Sequence, residues 1–215
     1  FYIYFIFFFP RYNRIIVKIL IDRNKMDVEK ILSTNIPDIY PVYGGVRGRT
    51  MSSKHQIYAW PVLKEAGLQT IIDLRDQDFT DKYEKTCEKR GFRYFHYPVD
   101  NKGKTVPSMV QLLPQFCELI DQGNFYIACA LGLHRTDVAL CTYWMFYGAD
   151  KGLPPPAIRG YRQEDGHDTS KIMRVLNSIY KFMTEERGEK PIPETVFNDR
   201  KKIINELSQQ KNDSA

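Results

Sequence analysis

The chain has 215 residues, of which 43% are apolar, 27% charged and 13% aromatic. Those fractions exclude a disordered, collagen-like or low-complexity protein, and at about 150 residues per domain they predict one domain with extensions. The formal net charge of +5 is spread along the sequence rather than gathered into blocks. It is too mild for a dedicated nucleic-acid binder and agrees with an anionic substrate.

Residues 1–9 (FYIYFIFFF) form an apolar run closed by Pro10, and a second run, 15–21, is broken by Lys18. Neither reaches the roughly 20 apolar residues that span a bilayer, and no charged start, apolar centre and small-residue cleavage site follow in the order a signal peptide needs. Residues 1–25 are therefore expected to be a non-native or disordered N-terminal extension, with Met26 as the native start and a membrane partner not expected; the alternative for this segment is a membrane-associating anchor.

From Met26 onward, strand-like and helix-like segments alternate. Residues 39–46 (IYPVYGGV) are β-prone, 53–66 are helix-like with an interruption at Pro61, and 68–74 (LQTIIDL) form a compact apolar strand. Phe79, Tyr83 and Cys87 fall one helical turn apart in a charged stretch that Gly91 stops. Residues 92–97 (FRYFHY) read as a strand. Residues 107–120 place Met109, Leu112, Leu113, Phe116, Leu119 and Ile120 on one helical face, with Pro107 suited to the first turn. Residues 125–129 (FYIAC) are strand-like, and 137–147 are apolar nearly all round, as a helix buried in mid-domain would be. After the LPPP break at 153–156, residues 157–163 are expected to form a short helix and 169–186 a long amphipathic one. Residues 188–215 are expected to be a polar tail carrying one exposed helix. The alternation predicts an α/β fold, a single domain with a central, mostly parallel sheet flanked by helices.

The four cysteines, Cys87, Cys117, Cys129 and Cys141, include no Cys-x-x-Cys pair, and no two histidines stand at i, i+4. Neither a structural metal nor a disulfide framework is expected, and the thiols suit a reducing, cytoplasmic setting.

The chemistry concentrates in FYIACALGLHRTD, residues 125–137. A buried strand would deliver Cys129 to the carboxyl edge of the sheet, where open α/β sheets bind ligands. A five-residue loop follows (Ala130, Leu131, Gly132, Leu133, His134), and Arg135 and Thr136 open a helix. Backbone N–H groups from such a loop can curl around a tetrahedral oxyanion, with the positive end of the helix pointing into the same cup. Gly132 permits the backbone angle this needs. The same field favours the thiolate form of a cysteine at the bottom of the cup. Arg135 can grip two oxygens of the transferring group, and Thr136 can donate a hydrogen bond to the sulfur. These parts suit phosphoryl transfer.

The segment resembles the signature loop of cysteine-dependent protein tyrosine and dual-specificity phosphatases, and a weaker similarity extends over residues 43–180. GLQTIIDLR (67–75), the Asp of YPVD (Asp100) and the helix-rich segment after the loop follow the order typical of compact, atypical dual-specificity enzymes. The resemblance implies a phosphatase domain over residues 26–187. It further implies that Cys129 attacks phosphorus, that Arg135 and residues 130–134 bind phosphate, and that Asp100 protonates the leaving oxygen and then activates water. No metal or other cofactor is implied. Asp76, Asp78 and Asp81, in the loop after another strand, compete with Asp100, whose other reading is a solvated turn aspartate.

Two positions depart from the family pattern: Ala128 stands where His is usual before the cysteine, and Asp137 where Gly is usual after the Arg-Thr pair. They leave open a phosphate-recognition module that hydrolyses poorly. An arsenate reductase or sulfurtransferase fits the order of motifs less well. The loop carries no lysine, which favours a phosphorylated protein over inositol phosphates. Arg159 and Arg162 of AIRGYR could touch a second anionic group or be solvated, and Arg75 is open between a structural pair and the rim of the site.

Overall fold

The computed structural model describes residues 26–34, 36, 38–51, 58–76, 80–100, 102–163 and 166–209. The expected N-terminal extension, the first part of the 53–66 helix, Asp78 and Phe79 lie outside the described residues.

A short helix α1 (Val28–Leu32) leads into a hairpin of β1 (Tyr40–Val42) and β2 (Gly45–Arg49). Its turn residues, Tyr43 (φ 47°) and Gly44 (φ 77°), are both left-handed, as a two-residue turn matched to strand twist requires. Next come α2 (Ala59–Glu65), β3 (Thr70–Asp73), α3 (Thr80–Lys89), β4 (Arg93–His96), α4 (Val106–Gln122) and β5 (Phe125–Cys129). Helix α5 (His134–Tyr143) runs on through a π-helical turn, Trp144–Gly148, and is followed by a ribbon of β6 (Arg162–Gln163) and β7 (Gly166–His167). The chain closes with α6 (Ser170–Lys181) and α7 (Glu194–Gln209).

The central sheet has the order β1-β2-β5-β3-β4, with only β1 antiparallel to its neighbour. The fold is therefore α/β with a largely parallel sheet. Because side chains alternate across a strand, β5 sends Phe125, Ile127 and Cys129 to one face and Tyr126 and Ala128 to the other. The first face carries Met109, Leu113 and Phe116 of α4, Val138 and Leu140 of α5 and Ile172 and Leu176 of α6. The second carries Ile31, Trp60, Leu63, Tyr83 and Cys87 from α1 to α3. Burying each large aliphatic side chain contributes about 1.5–3 kcal/mol, so Ile72 and Ile127 on the first face and Ile71 on the second pin β3 and β5 as the sheet centre.

Three expectations are corrected. Residues 157–163 form no helix. The amides of Arg159 and Gly160 donate to the Asp137 carboxylate, the Ala157 carbonyl accepts from Arg47, and Tyr161 is left-handed (φ 58°), so tertiary partners take the groups a helix would have paired. Helix α5 starts at His134, which shortens the loop to residues 130–133. The C-terminal helix is docked rather than exposed. Phe197 stacks on Tyr180 with ring centroids 4.2 Å apart, Ile204 is buried, and Arg200 reaches the Met145 carbonyl and Asp150.

Candidate active site

Strand β5 is the middle strand, and Cys129 is its last residue, 3% exposed and directly before the loop that turns into α5. Thr136 Oγ1, one turn into the helix, lies 3.4 Å from Cys129 Sγ. The loop N–H of Gly132 makes a long turn bond to the Cys129 carbonyl at 3.3 Å. Among the described residues, the N–H groups of Ala130, Leu131 and Leu133 find no acceptor. Unpaired amides and the positive end of a helix thus surround one sulfur, an arrangement that favours an anion. The other three thiols are of a different kind. Burial pushes Cys87 up to about 12, and Cys117 and Cys141 are also raised by the same cause, which leaves them as protonated core side chains.

The loop is shaped from behind by a residue that the sequence pattern did not single out. Arg47, on β2, is 2% exposed. Its Nη2 donates to the carbonyls of Gly132 (3.0 Å) and Leu133 (3.1 Å) and to Asp137 Oδ1 (2.7 Å), while Nη1 donates to the Ala157 carbonyl at 3.2 Å. A guanidinium is the side chain that can serve four acceptors at once from a fixed plane. By collecting loop carbonyls on its own side, it leaves the loop amides to other directions. Asp137 is fully buried, and its second oxygen accepts the Gly160 N–H at 2.7 Å. Its charge is matched by Arg47 and backbone donors rather than set against the loop amides. The only sequence signal for Arg47 was its place directly after the β-prone run 39–46 (IYPVYGGV).

Gly132 packs on the backbone of β2. With φ 70°, a Cβ added there would stand 2.4 Å from the Gly48 carbonyl carbon. Gly132→Ala should combine backbone strain of about 1–3 kcal/mol with a displaced loop, and any activity of the site should fall about 10- to 100-fold while near-UV circular dichroism stays native. Activity within a factor of about two of wild type would show that the loop tolerates the shift.

Arg135 is half-buried, and its Nη2 pairs with Asp76 Oδ1 at 2.9 Å. The segment carrying Asp76 is fixed by the fully buried Asp73. Asp73 accepts from Arg75 Nη2 at 2.7 Å and Tyr94 Oη at 3.0 Å, so Arg75 is a structural pair. Asp100 is differently engaged: its carboxylate accepts the N–H groups of Lys102 (3.1 Å) and Lys104 (2.9 Å) in its own turn. Of the four carboxylates considered, the structure brings Asp76 to the loop arginine, holds Asp100 in a turn and puts Asp81 on the exposed side of α3; Asp78 is outside the described residues. His134 packs against Tyr161 with ring centroids 4.3 Å apart and ring planes tilted by 35°, and burial lowers its pKa. Arg159 lies over the Tyr40 ring at 3.5 Å, whereas Arg162 is exposed on β6. Ala128 is fully buried beside Asp73 in the β5–β3 register, within the second core face. Among the described residues, no three His, Cys, Asp or Glu side chains cluster so as to hold a metal ion, and no helix is long and apolar enough to cross a membrane.

The fold and site define an α/β domain whose central strand ends in a cysteine beneath a short loop and a helix N-terminus. No family model matches the chain, and no curated protein matches it. Among solved structures, the chain is similar to P. aeruginosa TpbA, at 11% identity and a TM-score of 0.40 over 78% of this chain and 83% of that one. It is also similar to Tk-PTP in the active form, at 18% identity and a TM-score of 0.39 over 81% of this chain and 99% of that one. A human tyrosine phosphatase-like serine/threonine/tyrosine-interacting protein shows 12% identity and a TM-score of 0.35 over 78% of this chain and 95% of that one.

Proposed function

We propose that the protein is a phosphoester hydrolase working through a phosphocysteine, with phosphorylated tyrosine or serine/threonine side chains of proteins as its substrates. One observation carries this reading. The buried Cys129 sulfur accepts from Thr136 at the head of α5, beneath loop amides that have no acceptor among the described residues. In the first step the Cys129 thiolate forms a bond to phosphorus as the P–O bond to the leaving group breaks, and Asp100 gives that oxygen its proton. In the second, water attacks phosphorus, its proton passes to the Asp100 carboxylate, and the S–P bond breaks to release inorganic phosphate and the thiolate. The loop amides of residues 130–134 and the Arg135 guanidinium bear the charge on the equatorial oxygens in both steps. The proposal assigns every role to side chains and amides of this chain and requires no metal.

The direct test is turnover of an aryl phosphate by the full chain. Activity should survive a chelator and be inhibited by orthovanadate. Activity lost to the chelator, or indifferent to orthovanadate, would defeat the proposal.

A second reading, a phosphate-recognition module with poor turnover, is favoured by the Asp76–Arg135 pair, because an arginine already holding a carboxylate is less free to follow a moving phosphoryl group. Asp137 no longer argues for it, since Arg47 matches its charge.

The acid is identified by leaving-group dependence. Asp100→Asn should slow an alkyl phosphate about 100-fold or more while affecting an activated aryl phosphate far less, because only the poor leaving group needs the proton. Asp76→Asn should change both substrates by the same factor. The reverse pattern would move the role of acid to Asp76.

A further inference from the structure

The β6–β7 ribbon is gripped at both ends. At its inner end, Gly160 donates to Asp137 and has no space for a side chain, since a Cβ there would stand 2.4 Å from His134 Cδ2. The next residue, Tyr161, adopts φ 58°, a left-handed backbone that L side chains rarely take unless their surroundings impose it. The imposing contacts are the His134 ring against the Tyr161 ring, the Lys171 ammonium 5.2 Å from that ring, and the Asp168 N–H donating to the Tyr161 carbonyl at 2.8 Å. His167 Nδ1 also lies 2.7 Å from the Gly160 carbonyl oxygen.

At its outer end the ribbon abuts the C-terminal helix. Gly166 (φ 132°) faces α7 so closely that a Cβ would come 2.5 Å from the Ser208 carbonyl oxygen. Just beyond β7, the buried Thr169 donates through Oγ1 to Asn205 Oδ1 at 2.7 Å. The helix cannot yield easily, because Phe197 and Arg200 anchor its other end in the core.

We infer that α7 is a positioning element of the active site: Asn205, with the Ser208 backbone, fixes the ribbon and through it holds Tyr161 against His134 at the head of α5. The inference rests on the loop being an oxyanion site. It adds a dependence of that site on a helix near the C-terminus, far from it in sequence and outside any loop motif. Packed elements transmit position in this way when they cannot deform continuously.

The test compares Asn205→Ala with Asn205→Asp, which keeps an acceptor oxygen for Thr169, in the full chain. Two quantities are read: orthovanadate affinity, and the chemical shift of the His134 ring protons, which the Tyr161 ring displaces only while the two rings stay in contact. Asn205→Ala should weaken orthovanadate binding about fivefold, the scale of one lost hydrogen bond, and return the His134 resonance toward its position without that contact. Asn205→Asp should restore both. The resonance reports local ring contact in the folded state, so a general loss of stability does not mimic the effect. An unchanged resonance and affinity in Asn205→Ala would overturn the inference. If wild type bound no orthovanadate, the phosphatase reading would fall and the claim on affinity with it, while the resonance would still decide whether α7 holds the two rings together.

Discussion

Cys129→Ser is expected to lower aryl phosphate turnover at least about 1,000-fold while leaving inorganic phosphate binding within about threefold of wild type. The two expectations separate because the sulfur and the amides do different things. The sulfur is the only proposed nucleophile, and a serine hydroxyl at this position would have to lose a proton, while among the described residues its one hydrogen-bond partner would be Thr136, which can only donate or share its own. The amides of residues 130–133, the head of α5 and Arg135 belong to the loop and helix, and they do not need the sulfur to keep their places. Arg47 bonds the Gly132 and Leu133 carbonyls whatever residue stands at 129. Steady-state kinetics and calorimetric phosphate titration of the two proteins read the result. Equal turnover by both would remove Cys129 from the chemistry. Loss of phosphate binding together with turnover would mean that the substitution disturbs the loop as a whole.

Arg47→Met should have the largest effect on stability, about 3–5 kcal/mol, which lowers the melting temperature of a chain this size by about 6–20 °C. Removing the guanidinium strands Asp137, fully buried, with only backbone donors for its charge, and it strips the Gly132, Leu133 and Ala157 carbonyls of their partner. An unmatched charge in low dielectric is the expensive part, so Arg47→Met/Asp137→Leu should recover much of the lost stability by making the site apolar. It should not recover phosphate binding, because the loop carbonyls would still lack a donor. Thermal melts and phosphate titration of the three variants check this. Full recovery of both would show that the pair serves stability alone. A melting temperature unchanged in Arg47→Met would show that the pair contributes nothing net.

These two expectations mark where the sequence was informative and where it was not. The cysteine, its loop and the arginine were legible because they are contiguous: a strand, a glycine-bearing turn and a helix start leave a local pattern within residues 125–137. The central strands were legible for the same reason, being short apolar runs bounded by turns. The Arg47–Asp137 pair joins residues 90 positions apart, and a single charged residue just after a β-prone run does not announce that its partner lies in a helix start. The segment 157–163 misled for a related reason. Its residues accept a helical pattern locally, but Asp137 and Arg47 offered its backbone better partners from elsewhere.

What the sequence determined alone was therefore the alternating α/β order and the cysteine loop, since propensity, hydrophobic period and turn chemistry act over a few residues. Tertiary structure decided which aspartate meets Arg135, how the Asp137 charge is matched, and that the C-terminal helix docks on the ribbon beside the loop. Each of those depends on groups distant in the chain becoming neighbours, and burial decides which pairings hold, because a buried charge or amide without a partner is too costly to persist.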